Sequence, residues 1–438
     1  MRSDIVLAIF VASNAVSAQL HTLAVRAGLK YFGTAVDEGK QSDSQYVSLL
    51  STTTEFGQVV PENGQKWAYT EPSQNSFSYT QGDIVPNIAS KNGQILRCHT
   101  LTWHSQLPNW VSSGSWTKAT LTAVIQTHIS NVMKHYLGQC YHWDVVNEAV
   151  DDSAVYRNSV FYTVLGTDFI PISFTAARAA DPNAKLFYND YNLEYNGAKT
   201  DKTIEIVNLI KAAGAPIDGV GFQGHLIVGS TPSRSSLSTA LRRFTALGVE
   251  VAYTELDIRH SSLPASSSAL VTQGNDYANV VGSCLDVTGC VGVTVWGFTD
   301  KYSWIPSTFN GAGDALIYDA NFNKKPAWTS VSSVLAAKAT GGTSTTSTGV
   351  TVTVTSTSAT ATATNTPGQV HWGKWWNSNI KFMLYIAEVK NRASHGKRET
   401  FAAQFFNTED GMEMLTFQSD GKFLGRSINL VESQSKTA

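Results

Sequence analysis

Between residues 30 and 337 the chain alternates short apolar, β-branched runs with longer stretches of helical spacing. The runs are Tyr31–Val36, Phe56–Val60, Ile95–Thr100, Tyr141–Asn147, Lys185–Asn189, Gly219–Gln223, Val249–Thr254 and Gly292–Trp296. Helices are expected between them, for example over Thr117–Tyr136 and Ser159–Ala180, the latter stopped by Asp181-Pro182 because the residue before a proline disfavours the helical conformation. Eight β-then-α units favour an α/β fold closed into a (β/α)8 TIM barrel over an open sheet.

The pattern then ceases. From Thr340 to Thr366, 17 of 27 residues are Ser or Thr and none is charged, so nothing there can bury a core. The expected organisation is a leader over 1–18, a barrel over 19–338, an extended O-glycosylated Ser/Thr linker over 339–367 and a tail of undefined fold over 368–438. The leader is read from Arg2, the apolar run Ile5–Val11 and the small residues Val16-Ser17-Ala18 before Gln19, the layout of a secretory signal. It implies a secreted, extracellular protein.

Composition adds three constraints. A net charge of −2 gives no general attraction to nucleic acid or to anionic membranes. Eleven Trp exceed what a core of this size requires, and Trp faces suit the apolar faces of sugar rings. Export makes the four cysteines candidates for disulfides. Three pairings are possible; the simplest joins Cys284 to Cys290 across a short loop, and Cys98, near one strand end, to Cys140, just before the next strand. No Cys-x-x-Cys pair or His-Glu-x-x-His helix marks a metal site, and neither metal nor cofactor is expected.

Chemistry enters where two apolar runs end in acids. Trp143-Asp144-Val145-Val146-Asn147 leads into Glu148, and Val249–Thr254 leads into Glu255, 107 residues later. Two carboxyls at the C-terminal mouth of a barrel are what glycoside hydrolysis needs, one to protonate the departing sugar oxygen and one to act at the anomeric carbon. Asn147 places a neutral amide beside the first acid, suited to a sugar 2-hydroxyl. The two acids should titrate apart, with the general acid keeping its proton while the other is charged.

The residues YFGTAVDE (31–38), PENGQKW (61–67), HTLTWHSQLPNWV (99–111), WDVVNEA (143–149), ADPNAKLFYNDYN (180–192), TELDI (254–258) and WGFTDKYSW (296–304) resemble glycoside hydrolase family 10, the (β/α)8 endo-β-1,4-xylanases, and its secreted fungal members in particular. The resemblance covers roughly residues 24–337. It implies retaining hydrolysis of xylan and xylo-oligosaccharides by a monomer, with Glu148 as general acid/base and Glu255 as nucleophile. It also implies support from His225, hydrogen-bonded to Glu255 and oriented by Asp257, and from Gln223 and Asn147. Sugar contacts are implied for Glu62, Asn63, Lys66, His99, Trp103, His104, Gln106, Trp296 and Trp304. The competing readings are a retaining β-1,4-glucanase on the same barrel and a catalytically silent polysaccharide-binding protein.

Against that family Cys98 stands where many relatives have Gly, Pro171 interrupts a helix-like run, and Ile305 follows Trp304 where Arg is frequent. Pro171 should kink its helix or mark the first turn. The tail departs altogether. Gln369–Gly373 is similar to the start of a small cysteine-rich family 1 carbohydrate-binding module, yet no cysteine follows. Gly373-Lys374-Trp375 can be encoded GGT-AAG-TGG, which contains the intron donor GTAAGT. The tail is therefore expected to be mistranslated from an unspliced intron, poorly packed, with Trp375, Trp376 and Phe382 exposed, and the true product to end in a cellulose-binding module.

Overall fold

The computed structural model describes residues 19–341 and, of the tail, the backbone of five strands between 371 and 429. The described residues fall into two units, one of residues 19–341 and the other of the strands between 371 and 429.

In the first unit, eight strands close into a parallel barrel: β1 Tyr31–Val36, β2 Gln58–Pro61, β3 Ile95–Trp103, β4 His142–Asn147, β5 Lys185–Asp190, β6 Gly219–Phe222, β8 Glu250–Arg259 and β9 Cys290–Val295. Each pairs with the next in parallel, β6 with β8 directly, and β9 returns to β1 through Tyr31↔Gly292 and Thr34↔Val295. A three-residue strand, β7 His225–Ile227, lies outside the ring and pairs with the second half of β8, His225 opposite Asp257. The strands read as nearly continuous apolar runs because helices cover one face and the barrel interior the other.

Most strand limits shift by one to three residues, and the end of β8 by five. β8 runs on to Arg259 instead of ending at Thr254, because β7 supplies a new hydrogen-bonding partner where the barrel ladder breaks between Tyr253 and Leu256. His225 opens β7 after the left-handed Gly224 (φ 80°), beyond the predicted end of the sixth strand at Gln223.

The second predicted helix is broken. Val160–Leu165, a 3-10 turn at Gly166–Asp168 and Phe169–Ala180 follow in succession. Pro171 is the third residue of the last helix, where its missing N–H is one of the donors no helix satisfies, so no internal bond is lost. The 160–180 stretch matches a membrane span in length and apolarity. Here Phe161, Leu165, Ile170 and Phe174 are buried in the core that surrounds the barrel. The other helix runs Lys118–His135, its start fixed by a reciprocal Thr117–Thr120 capping box.

Inside the barrel, a buried ion pair crosses between neighbouring strands. Arg97 Nε donates to Asp144 Oδ2 at 3.1 Å, and His99 Nδ1 lies 2.9 Å from the same oxygen. Burial pushes the Asp144 carboxyl up, but Arg97 and His99 outweigh it and hold it below the usual carboxylate range. Cys98–Cys140 and Cys284–Cys290 are both bonded, with Cα separations of 5.7 and 5.3 Å, as the sequence suggested.

The second unit holds an antiparallel meander of strands His371–Asn377, Phe382–Glu388, Thr400–Asn407, Gly411–Gln418 and Phe423–Asn429. Sequence reading left this tail without a fold; here its backbone is regular. The expectations of poor packing and of exposed Trp375, Trp376 and Phe382 concern side chains outside the described residues, as do the leader and most of the linker.

Candidate active site

Glu148 is the first residue after β4, and its backbone is left-handed, with φ 53°. A non-glycine residue rarely holds that conformation without surrounding support. Its carboxylate accepts from Gln223 Nε2 at 2.9 Å and Asn147 Nδ2 at 3.2 Å on Oε1, and from Trp103 Nε1 at 3.0 Å on Oε2. Burial raises the Glu148 pKa, but the Gln223 and Trp103 bonds, then the neighbouring His104 and Arg157, overcome it, and the net shift is downward. The expectation that this carboxyl keeps its proton thus does not describe the unliganded cleft, which favours the ionised form because three N–H groups converge on it.

Glu255 emerges within β8 and is 5% exposed. Oε1 accepts from Asn189 Nδ2 at 2.7 Å, and Oε2 lies 3.2 Å from His225 Nε2. His225 Nδ1 is 2.9 Å from Asp257 Oδ2, which also accepts from Trp304 Nε1 at 2.8 Å. Burial would lower the His225 pKa, but Asp257 and then Glu255 reverse the effect and push it up to about 10. An imidazolium therefore sits between two carboxylates at neutral pH, in the arrangement the sequence implied.

Sequence reasoning missed Asn189. Its amide nitrogen donates to Glu255 and, at 2.8 Å, to Asn147 Oδ1, while Thr254 Oγ1 donates to its Oδ1 at 2.6 Å. Room for this side chain comes from Gly221 on β6, where an added Cβ would fall 2.2 Å from Asn189 Oδ1. The available signal was position, since Asn189 ends the predicted fifth strand just as Glu148 follows the fourth.

Both acids line a cleft of about 660 Å³ with Glu62, Asn63, Lys66, His99, Trp103, Gln106, Asn147, Gln223, His225, Trp296 and Trp304. Lys66 Nζ donates to Gln106 Oε1 at 2.6 Å and Asn63 Oδ1 at 3.1 Å and lies 4.9 Å from the Trp103 ring centre. Burial lowers its pKa against the pull of Glu255 and Glu62. Burial, with Asp37 and Glu38 nearby, pushes Glu62 up to about 8.

Two predicted residues stand off the wall. Asp257 is fully buried behind His225. His104 is not among the residues lining the cleft, and its Nδ1 is 4.0 Å from Glu148 Oε2; burial pushes its pKa down to about 4. Asp152, Tyr191, Asn192, Arg259, Thr308 and Phe309 also line the cleft and were not anticipated. Tyr191 and Asn192 fell inside a recognised motif, whereas Arg259 and Phe309 carried no local signal.

The model of the family described as "Glycosyl hydrolase family 10" matches residues 19–334. The chain belongs to that family. It is 71% identical over 334 residues to endo-1,4-beta-xylanase 1 of Humicola insolens, covering 76% of this chain and 78% of that one. It is 60% identical over 320 residues to endo-1,4-beta-xylanase 5 of Pyricularia oryzae, covering 73% and 79%. Among solved structures, the endo-1,4-beta-xylanase XylE of Penicillium canescens superposes with a TM-score of 0.71 at 37% identity, covering 73% of this chain and 98% of that one. A family 10 xylanase from Bispora, solved with xylobiose, gives 0.70 at 38%, covering 72% and 99%.

Within family 10, the Ile305 departure has a packing consequence. Ile305 is fully buried with Ala312, Ala315 and Leu316, and Trp304 and Phe309 pack against that cluster. The loop carrying Trp304 is thus anchored by apolar burial, and the Arg259 guanidinium lies 4.0 Å from the Phe309 ring centre.

Proposed function

We infer that this chain is an endo-1,4-β-xylanase that hydrolyses internal β-1,4-xylosidic bonds with retention, using Glu255 as nucleophile and Glu148 as acid and then base. The observation that carries this reading is the placement of Glu148 and Glu255 on one cleft, each held by its own set of donors. Family 10 membership and the xylanase relatives support it.

In the first step Glu255 attacks the anomeric carbon while Glu148 protonates the departing oxygen, giving a covalent glycosyl-enzyme. Entry of the polymer strips water from Glu148 and brings the glycosidic oxygen to it, which raises its proton affinity from the depressed value of the open cleft. In the second step Glu148 takes a proton from water, which releases the sugar from Glu255. Asn147, Lys66, Glu62 and Asn63 bond hydroxyls, and Trp296 and Trp304 face the apolar sides of the rings.

Action outside the cell belongs to the same proposal, supported by two disulfides and the expected leader. So do action as a monomer and independence of nucleic acid and membrane. We further propose that residues beyond 373 are mistranslated and that the natural product carries a cellulose-binding module; the family match ends at residue 334, well before this segment.

Release of reducing sugar from xylan and from carboxymethyl-cellulose tests the function. Turnover on xylan alone is expected. Equal or faster release from carboxymethyl-cellulose would favour a glucanase, and none from either would favour a silent binding protein.

A further inference from the structure

Arg157 follows the acid by nine residues and is absent from the residues lining the cleft. Its side chain nevertheless closes on the backbone of the acid's own turn. Nε donates to the Glu148 carbonyl at 3.1 Å, while Nη2 donates to the Val150 carbonyl at 3.1 Å and to the Tyr191 hydroxyl at 2.9 Å. Its backbone N–H donates to the Ala149 carbonyl at 2.8 Å. One guanidinium thus grips the carbonyls on either side of Ala149 and ties them to Tyr191, a residue of the cleft wall. From the other side the Ala149 N–H donates to the Tyr188 hydroxyl at 3.1 Å, and Tyr188 donates to Asp190 at 2.5 Å.

These two grips fix the Glu148–Ala149 peptide, and the Glu148 N–H, donating to the Asn189 carbonyl at 2.9 Å, fixes the peptide before it, so the residue with φ 53° is held from both ends. Relaxing Glu148 to an ordinary backbone angle would rotate its Cα–Cβ bond and swing the carboxyl away from Gln223 and Trp103. A planar fork with fixed donor directions suits this task better than a point charge on a flexible stem.

We propose that Arg157 is a positioning residue for the acid, keeping Glu148 in the left-handed conformation that delivers its carboxyl to the glycosidic oxygen. The proposal rests on reading Glu148 as the acid. Its charge has a second effect, because a cation this close favours the ionised form of Glu148. Other charged or titratable groups around Glu148 and Arg157 are His104 after β3, Lys66 after β2, Tyr188 and Asp190 on β5, Tyr191 and Lys199 beyond it, and Glu255 across the cleft.

The test uses the full chain with Arg157→Lys, which keeps the charge and loses the fork, and Arg157→Gln, which loses both. Each is assayed on xylan and on a xylobioside with an activated phenol leaving group. Both variants should lose kcat on xylan by on the order of tenfold to hundredfold, the scale of a misplaced reacting group, with KM within about twofold. Formation of the glycosyl-enzyme from the activated substrate, read in a single turnover, should stay near the parent rate.

The alkaline limb of kcat/KM on xylan should move to higher pH in Arg157→Gln, because removing the cation raises the Glu148 pKa, and should stay in Arg157→Lys. Equal losses on the two substrates, or an alkaline limb unmoved in Arg157→Gln, would show a merely structural residue and overturn the proposal. Should Arg157→Gln fail to fold, the substrate split in Arg157→Lys decides alone. Glu148→Ala, assayed alongside, separates the two ideas: if it spares the activated substrate while Arg157→Lys does not, only the Arg157 role falls.

Discussion

Asn189 and Glu255 meet at 2.7 Å, amide nitrogen to carboxylate oxygen, and the same nitrogen donates at 2.8 Å to Asn147, whose own amide donates to Glu148. One chain of hydrogen bonds therefore runs from one acid to the other across three strands. With His225 on the other oxygen, it fixes the plane of the Glu255 carboxylate and ties the orientation of Asn147 to the nucleophile.

Replacing Asn189 by Ala should slow formation of the glycosyl-enzyme by roughly tenfold to hundredfold, the range for losing a group that orients a reacting residue. Unlike loss of the acid, the defect should be the same for activated and unactivated leaving groups. Single-turnover kinetics on both substrates check this, and a defect confined to poor leaving groups would assign Asn189 to the acid instead.

Glu255→Ala should abolish glycosylation of every substrate. Glu148→Ala should cost about 10²–10⁴-fold on xylan, the usual contribution of a general acid, and much less in the first step for an activated phenol. Azide should rescue the second step by replacing the water that needs a base. Equal loss by Glu148→Ala on activated and unactivated xylosides would remove its assignment as acid.

The His225 shift also carries a stability signature. Its pKa rises from 6.5 to about 10 on folding, so the stabilisation is complete below pH 6.5 and is lost as pH climbs toward 10. Denaturation curves across that interval should show the parent protein falling toward His225→Gln. A constant gap between the two proteins from pH 6.5 to 10 would mean that His225 is not held as an imidazolium.

The two disulfides should differ in weight. Cys98–Cys140 closes 42 residues and Cys284–Cys290 only 6. Loop-closure entropy then assigns about 4 kcal/mol to the first and about 2 kcal/mol to the second. Chemical denaturation of the Cys98→Ala/Cys140→Ala and Cys284→Ala/Cys290→Ala proteins should rank them in that order.

For the tail, sequencing of the transcript decides. A message with the segment after codon 373 removed is expected, whereas continuous message through codons 373–376 together with tail peptides in the secreted protein would refute mistranslation.

The eight barrel strands, the barrel class and the position of both acids were legible in the sequence, because buried parallel strands are locally apolar and an acid at the end of such a run stands out against it; the short β7 and the tail strands were not. Glu148 and Glu255 needed no tertiary information to be noticed. Asn189 did, since a single amide at a strand end looks like any other until its neighbours are placed; its partners are 42 and 66 residues away. Arg259, at the end of β8, and Phe309, in the loop after Trp304, reach the cleft from separate elements that share no motif. The protonation preferences were likewise beyond the sequence. Glu148 is pulled down and His225 pushed up by groups whose distances only the closed barrel sets, because electrostatic shifts depend on a few ångströms in three dimensions and not on spacing along the chain.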